Sequence, residues 1–242
     1  MERFKLLGIH IDSVSEDEVY HKIFELTDMD KPTQVVLLDT YLLMKAKFNK
    51  ELFNIINNAE LVLPVSPGIK FGLNFFHKKV AKVYNFFNFS IRLLTQITEE
   101  TKKNVYVLGG NKKASEKSEK NIRESFPGIR LMGRHRVDYR KDFEPKLLTA
   151  MQKVSPSFVL VSMRRPKQEK WIYSRKKNFN NCVFIGVENF INILGGKELS
   201  PTDKHIESGG YSFKMLLKRP FSSFYYVIFF ILLLVYKIFK LN

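Results

Sequence analysis

Short, uninterrupted apolar runs alternate along this chain with longer stretches of helical spacing. The runs Gln34–Leu38, Leu61–Leu63, Val105–Leu108, Ile129–Met132, Phe158–Val161 and Val183–Val187 predict strands, and Phe4–Ile11 predicts another near the start. Between them, Ser15-Glu16-Asp17-Glu18 has the form of a capping box and predicts a helix running to about Leu26. Further helices are predicted over Thr40–Phe48, Glu51–Asn58, Asn88–Lys102, Lys112–Phe126, Phe143–Lys153 and Pro166–Lys177. Strands that lack polar alternation are buried on both faces. Their alternation with helices predicts an α/β fold, a parallel sheet with helices on both faces. No internal repeat or low-complexity tract interrupts it.

The pattern changes after residue 196. Lys197–Gly210 is polar, contains Pro201 and ends in Gly209-Gly210, as a linker does. This divides the chain into a body (1–196), a linker (197–210) and a C-terminal appendage (211–242). The appendage carries FSSFYYVIFFILLLVY over Phe221–Tyr236, with Lys218 and Arg219 before it and Lys237 and Lys240 after it. A helix of about 16 residues spans roughly 24 Å, short of a hydrocarbon core of about 30 Å. Extension to residue 239 with snorkelling lysines brings it near the minimum. Apolar on every face, it is expected to associate with a membrane, either crossing it or lying in its interface; the plainer reading is a buried core helix.

Composition sharpens the choice of partner. Forty Lys and Arg against 24 Asp and Glu leave a formal charge of +16, which favours an anionic ligand, an anionic membrane surface or a nucleic acid. No recognised nucleic-acid motif accompanies the charge, so none is expected as partner. The lone Cys182 lies in an apolar run, which points to a core position and excludes a disulfide framework or a cysteine-based zinc site.

Ligands of open α/β sheets bind outside the carboxyl ends of the strands, and four such ends carry chemistry. In VYVLGGNKKAS, Gly109 and Gly110 precede a helix start flanked by Lys112 and Lys113; they either admit a phosphate or sugar to the backbone or make a plain tight turn. In SMRRPKQEKWIYSRKK, Pro166 suits a first helical turn, Arg164, Arg165 and Lys167 gather cations there, and Gln168 and Glu169 serve ligand contact or capping. Asp39 ends one strand, where it either caps the next helix or faces a ligand. Leu63-Pro64-Val65-Ser66-Pro67-Gly68-Ile69-Lys70 predicts a rigid loop shaped by two prolines and a glycine, with no acid or base in it.

Together these stretches resemble the WecG/TagA/CpsF glycosyltransferase family over roughly Arg3 to Pro220. The most specific element is Pro166-Lys167-Gln168-Glu169 followed by Trp171-Ile172. Leu108–Gly110, Phe126-Pro127-Gly128, Phe4–Asp12 and Gly186-Val187 with Phe190 and Gly195-Gly196 support it. The resemblance implies a Rossmann-like domain with a C-terminal membrane-associating appendage, placed at the cytoplasmic face of the inner or plasma membrane by its hydrophobic segment. It implies transfer of an N-acetylhexosamine of the N-acetylmannosamine type from a UDP-sugar to a polyprenyl-diphosphate-linked sugar, in cell-surface polysaccharide synthesis. It implies no metal or cofactor, is compatible with homo-oligomers, and places Asp39, Gly109, Gly110, Lys167, Gln168, Glu169 and Glu188 in the substrate pocket.

The chain also departs from the family pattern. Val65 stands where the family has the aspartate proposed as base, and valine takes no proton. Leu37-Leu38-Asp39 replaces Thr-x-Asn, Met163-Arg164-Arg165 replaces a small Leu-Gly-x approach, and Glu188-Asn189-Phe190-Ile191-Asn192 replaces Gly-Gly-x-Phe-Asp. Asp39, and Glu188 beside it in kind, are the carboxylates expected to substitute at strand ends. The alternative is a non-catalytic relative that binds a nucleotide sugar, a lipid-linked glycan or a partner transferase.

Overall fold

The computed structural model describes the chain except residues 78–81, 101, 137–142, 209–222 and 242. In chain order the elements are β1 (Glu2–Leu6), β2 (Ile9–Ser13), α1 (Glu16–Glu25), β3 (Thr33–Leu38), α2 (Thr40–Lys47), α3 (Lys50–Asn57), β4 (Leu61–Pro64), α4 (Pro67–His77) and α5 (Phe86–Glu99). They continue with β5 (Val105–Gly109), α6 (Lys112–Ser125), β6 (Leu131–His135), α7 (Phe143–Val154), β7 (Phe158–Ser162), α8 (Lys167–Arg175), β8 (Val183–Gly186), α9 (Phe190–Leu194), α10 (Asp203–Glu207) and α11 (Ser223–Ile238). They form two compact units, one of Met1–Glu16, Val36–Phe86 and Pro201–Asn242, the other of Asp17–Val35 and Phe87–Ser200.

In the second unit β3, β8, β7, β5 and β6 lie side by side in that order, and every pair is parallel. Phe184 pairs with Gln34 on one side and Val159 on the other. Strands β3, β5, β7 and β8 are buried at every position, as continuous Val, Leu, Ile and Phe runs require when helices cover a sheet. The parallel order brings Gly109, His135, Ser162 and Gly186 to one edge, the carboxyl ends of the strands. The Rossmann-like expectation for the sheet holds.

The first unit opens with a hairpin where a single strand over Phe4–Ile11 is expected. β1 and β2 pair antiparallel, Leu6 opposite Ile9. Leu7 (φ 50°) and Gly8 (φ 89°) make the two-residue turn, both in the left-handed region that suits the twist of a tight hairpin. The apolar run passes straight through that turn, so only Gly8 marks it. Asp12, wholly buried, accepts from Arg3 Nε (2.6 Å) and from Val62 N (2.8 Å), and so fixes the hairpin to β4. Helix α4 begins inside the stretch Leu63–Lys70, where a rigid loop is expected; its first residue is Pro67, whose missing N–H costs nothing at a helix start.

The C-terminal expectation needs correction. Among the described residues no helix is long and apolar enough to cross a membrane. Helix α11 is 16 residues long and is not a separate membrane-associating appendage but a core helix of the first unit. Its Phe229 and Leu233 are buried with Leu6, Leu42, Leu43 and Leu73. Lys45 Nζ donates to Tyr225 Oη at 2.9 Å, Lys47 bonds the hydroxyl of Tyr236, and Lys237 Nζ donates to the carbonyl of Phe75 at 3.1 Å. Anchoring at a membrane face by this segment is overturned by the same finding. The opposite side of α11, with Phe224, Val227, Ile231, Leu234 and Ile238, is exposed. Phe221, Ser222 and the basic residues Lys214, Lys218 and Arg219 lie outside the described residues.

Candidate functional site

The carboxyl edge of the second unit is made by the ends of β5, β6, β7 and β8. After β5 the chain turns through Gly109 (φ 140°) and Gly110 (φ 67°). A Cβ on Gly109 would fall 2.2 Å from the carbonyl oxygen of Ser162, and one on Gly110 would fall 2.6 Å from Ile191 Cγ2. The glycines are therefore demanded by close packing of this turn on the end of β7 and on α9. Ser162 Oγ completes the junction by accepting from Ile191 N at 3.3 Å. Asn111 caps α6 through Ala114 N (2.9 Å), and Lys112 and Lys113 stand exposed in its first turn.

Beyond β7 lies a dense polar group. Arg164 and Lys167 are exposed, whereas Arg165, Gln168, Glu169 and Glu188 are buried. Pro166, joined to Arg165 by a cis bond, caps α8 rather than opening it. Gln168 is 0 % exposed, and both ends of its amide are used internally. Its Oε1 accepts from Met163 N (3.2 Å) and its Nε2 donates to Glu169 Oε1 (2.9 Å). Gly186 makes this possible, because a Cβ there would lie 2.3 Å from Gln168 Nε2. Arg165 Nε sits 3.9 Å from both Glu169 Oε1 and Glu188 Oε2, and Arg165 N donates to Glu188 Oε1 at 3.4 Å. Burial pushes the Glu169 carboxyl up to about 7 against the pull of Arg165. The structure thus brings Gln168, Glu169 and Glu188 together as an internal cluster, with Lys167 at its solvent side.

A cleft of about 510 Å³ opens beside the ends of β5 and β6, lined by Lys112, Glu116, Glu119, Arg134, His135, Arg136 and Phe143. Arg134 Nε bonds Glu119 Oε2 (2.7 Å), which fixes the guanidinium at the cleft wall. Burial raises Glu119, but hydrogen bonds from Arg134 and Arg123 outweigh it and hold the carboxyl below its usual range. His135 Nδ1 is hydrogen-bonded to Tyr106 Oη, and the two rings are stacked at 6.0 Å. Burial pushes the Tyr106 phenol up to about 12, so it keeps its proton and donates; His135, lowered by burial and by Arg134, is then the neutral tautomer with hydrogen on Nε2. Phe143 packs against His135 at 6.0 Å. Three cations, of which Arg134 is paired with Glu119 and Glu116, line the cleft beside two aromatic rings, a surface that can meet a phosphorylated planar ligand. This wall is not among the sites expected from the sequence, because the predicted strand ends with the apolar run at Met132 whereas β6 continues to His135. A basic triplet at a strand's carboxyl end was the available signal.

The first unit holds the remaining site residues. Asp39 caps α2, its Oδ1 accepting from Leu42 N at 2.7 Å. Val65 is buried, and its N–H donates to the carbonyl of Leu38 at 3.0 Å. Ser66 Oγ takes a hydrogen bond from Thr40 N (3.1 Å). The backbone on either side of Asp39 is thus bonded to Val65 and Ser66, which sets Asp39 directly beside the Val65 position. Among the described residues, no cluster of His, Cys, Asp and Glu is arranged to hold a metal ion.

Comparison with known proteins finds relatives of the chain. The chain is 22% identical over 186 residues to an N-acetylglucosaminyldiphosphoundecaprenol N-acetyl-beta-D-mannosaminyltransferase of Bacillus spizizenii, covering 77% of this chain and 71% of that protein. The enzymes of the same description from Staphylococcus aureus strains MRSA252 and NCTC 8325 are each 24% identical over 92 residues, 38% of this chain and 35% of their own length. The model of the glycosyl transferase WecG/TagA/CpsF family matches residues 4–240, and the chain belongs to that family.

Proposed function

We propose that this glycosyltransferase moves an N-acetylhexosamine of the N-acetylmannosamine type from a UDP-sugar to a polyprenyl-diphosphate-linked sugar. The observation that carries the reading is the family match across residues 4–240, and the Bacillus spizizenii relative supplies the substrate class. The donor's diphosphate pairs with Lys112, Arg134 and Arg136, and its uracil lies against His135 and Phe143. In the reaction an acceptor hydroxyl oxygen bonds the anomeric carbon while the bond from that carbon to the diphosphate oxygen breaks. UDP leaves with the electron pair, and the hydroxyl proton passes to a base.

The base position of the family holds Val65. Within the first unit Asp39 is the candidate for that role, because the bonds Leu38 O to Val65 N and Thr40 N to Ser66 Oγ hold it alongside that position. Asp39→Asn keeps a capping oxygen for Leu42 N but removes the base. A loss of about 10²–10⁴ in transfer rate with unchanged stability is expected. The assay is mass detection of the disaccharide formed on an N-acetylglucosaminyl-diphospholipid acceptor; full activity of Asp39→Asn removes Asp39 from the mechanism.

Val65 itself favours a second reading, in which the protein binds the donor or a lipid-linked glycan without transfer. Donor binding with no product from any UDP-N-acetylhexosamine would decide for it.

A further inference from the structure

Tyr106 meets His135 because the sheet register brings them to one face. In the pairing of β5 with β6, Tyr106 lies opposite Gly133 and Leu108 opposite His135. Gly133 and His135 are two residues apart on β6, so both face the same side of the sheet. A Cβ on Gly133 would fall 2.7 Å from Tyr106 Cε2. The bare glycine therefore lets the phenol lie across β6 and carry its hydroxyl to His135 Nδ1. The two ring planes are 2° apart, which brings the hydroxyl to the lone pair in the plane of the imidazole.

The direction of this bond follows from the hydrogens available. Tyr106 is 2 % exposed, and its hydroxyl has no other partner among the described residues. A buried O–H without an acceptor is costly, so Tyr106 donates and Nδ1 accepts. An imidazole that accepts at Nδ1 carries its hydrogen on Nε2. The other tautomer, or a protonated ring, would turn an N–H toward the phenol and orphan the phenol's own hydrogen. Burial and Arg134 act in the same sense by lowering His135. Nε2 diverges from Nδ1 across the ring and has no partner among the described residues, and the side chain lines the cleft. His135 thus offers one fixed, neutral N–H at a wall otherwise lined by Phe143 and charged groups.

We infer that His135 selects the nucleobase of the donor: its Nε2–H donates to the 4-carbonyl oxygen of uracil, and Tyr106, which never touches the donor, is the positioning residue that keeps the hydrogen on Nε2. This rests on the donor reading above, in which the uracil lies against His135 and Phe143. The ribose and diphosphate are held back among the cations, so the base meets the wall with the ring edge opposite its ribose bond, which is the 4-position. There uracil presents an acceptor and cytosine an amino donor. A fixed N–H satisfies the first and opposes the second, and a site built around one hydrogen bond rejects the analogue that cannot make it.

The test has two arms on the full chain. Nitrogen-15 NMR of the histidine-labelled, ligand-free protein reads the tautomer, the His135 signals being those missing from His135→Gln. The wild type should show hydrogen on Nε2 alone, and Tyr106→Phe, which keeps the ring and removes the hydroxyl, a mixture of tautomers. Hydrogen on Nδ1 in the wild type, or an unchanged tautomer in Tyr106→Phe, overturns the inference without any ligand. Calorimetric titration with UDP and CDP, which differ only at the 4-position and the hydrogen on N3, reads the selection. The wild type should prefer UDP by about 10–100-fold. Tyr106→Phe should shrink that preference by weakening UDP and strengthening CDP, because a freed imidazole can turn an accepting nitrogen to the cytosine amino group. Mere structural damage weakens both alike and leaves their ratio unchanged. An unchanged ratio, or equal binding of UDP and CDP by the wild type, overturns the inference and leaves the donor site standing. A folded wild type that binds neither overturns the donor reading and this inference together.

Discussion

Ser66 Oγ lies 2.9 Å from Thr40 Oγ1 and also accepts the backbone N–H of Thr40 at 3.1 Å. All these groups are buried, so one serine hydroxyl locks the loop after β4 to the first turn of α2, at the residue that follows Asp39. Ser66→Ala leaves the Thr40 N–H without its acceptor, and a loss of about 1–3 kcal/mol is expected by urea denaturation. Stability unchanged by the substitution would mean that the loop is held by something other than this hydroxyl.

The burial of α11 predicts an asymmetric response on its two faces. Phe229 is 0 % exposed and Phe230 is 47 % exposed. Phe229→Ala should cost about 3–5 kcal/mol, while Phe230→Ser should change stability by less than about 0.5 kcal/mol. Urea midpoints of the two variants decide this; equal effects would contradict the placement of α11 in the core.

Glu144 accepts from Trp171 Nε1 (2.7 Å) and from Arg175 at Nη2 (2.9 Å) and Nε (3.1 Å). The hydrogen bonds from Arg175 and Trp171 hold its carboxyl below the usual range despite burial. A depressed acid contributes stability above its unfolded value, and that contribution is lost as pH falls through the folded one. Glu144→Gln should therefore be less stable than wild type at pH 7, with the gap closing as pH falls below 4.5. A gap that persists unchanged in acid would exclude the ion pair as its cause.

Two glycines with positive φ separate strain from crowding. Gly128 (φ 93°) has nothing within 4 Å of a built Cβ, whereas Gly109 (φ 140°) has the Ser162 carbonyl oxygen at 2.2 Å. Gly128→Ala meets only the conformational cost, about 1–2 kcal/mol. Gly109→Ala must also push apart the ends of β5 and β7, adding about 1–3 kcal/mol. Thermal unfolding should rank Gly109→Ala well below Gly128→Ala.

Much of this fold was legible because short continuous apolar runs set between helical patterns read as doubly covered strands. Phe158–Ser162 and Val183–Gly186 fall within a residue of expectation. The hairpin was not legible, since Leu7 carries the same apolar signal in a left-handed turn as in a strand. Hydrophobicity said that α11 must be covered but not by what; Leu42, Leu43 and Leu73 cover one face of it. At the site, the position of Gln168 and Glu169 after a strand was readable, but not their inward direction. That direction depends on Gly186, a contact between distant strands that local spacing does not encode. Val65 shows the reverse case, in which one residue type excludes a chemistry before any geometry is known.

Thermal unfolding of the full chain in saturating UDP-N-acetylhexosamine tests the donor site most directly. A ligand that binds only the folded state adds about 2.7 kcal/mol at one hundred times its dissociation constant. The melting temperature of the wild type should rise by several degrees, and a double variant Lys112→Ala, Arg134→Ala should lose most of that rise while remaining folded. A wild type whose melting temperature is unmoved by every UDP-N-acetylhexosamine would contradict a donor site at the carboxyl ends of these strands.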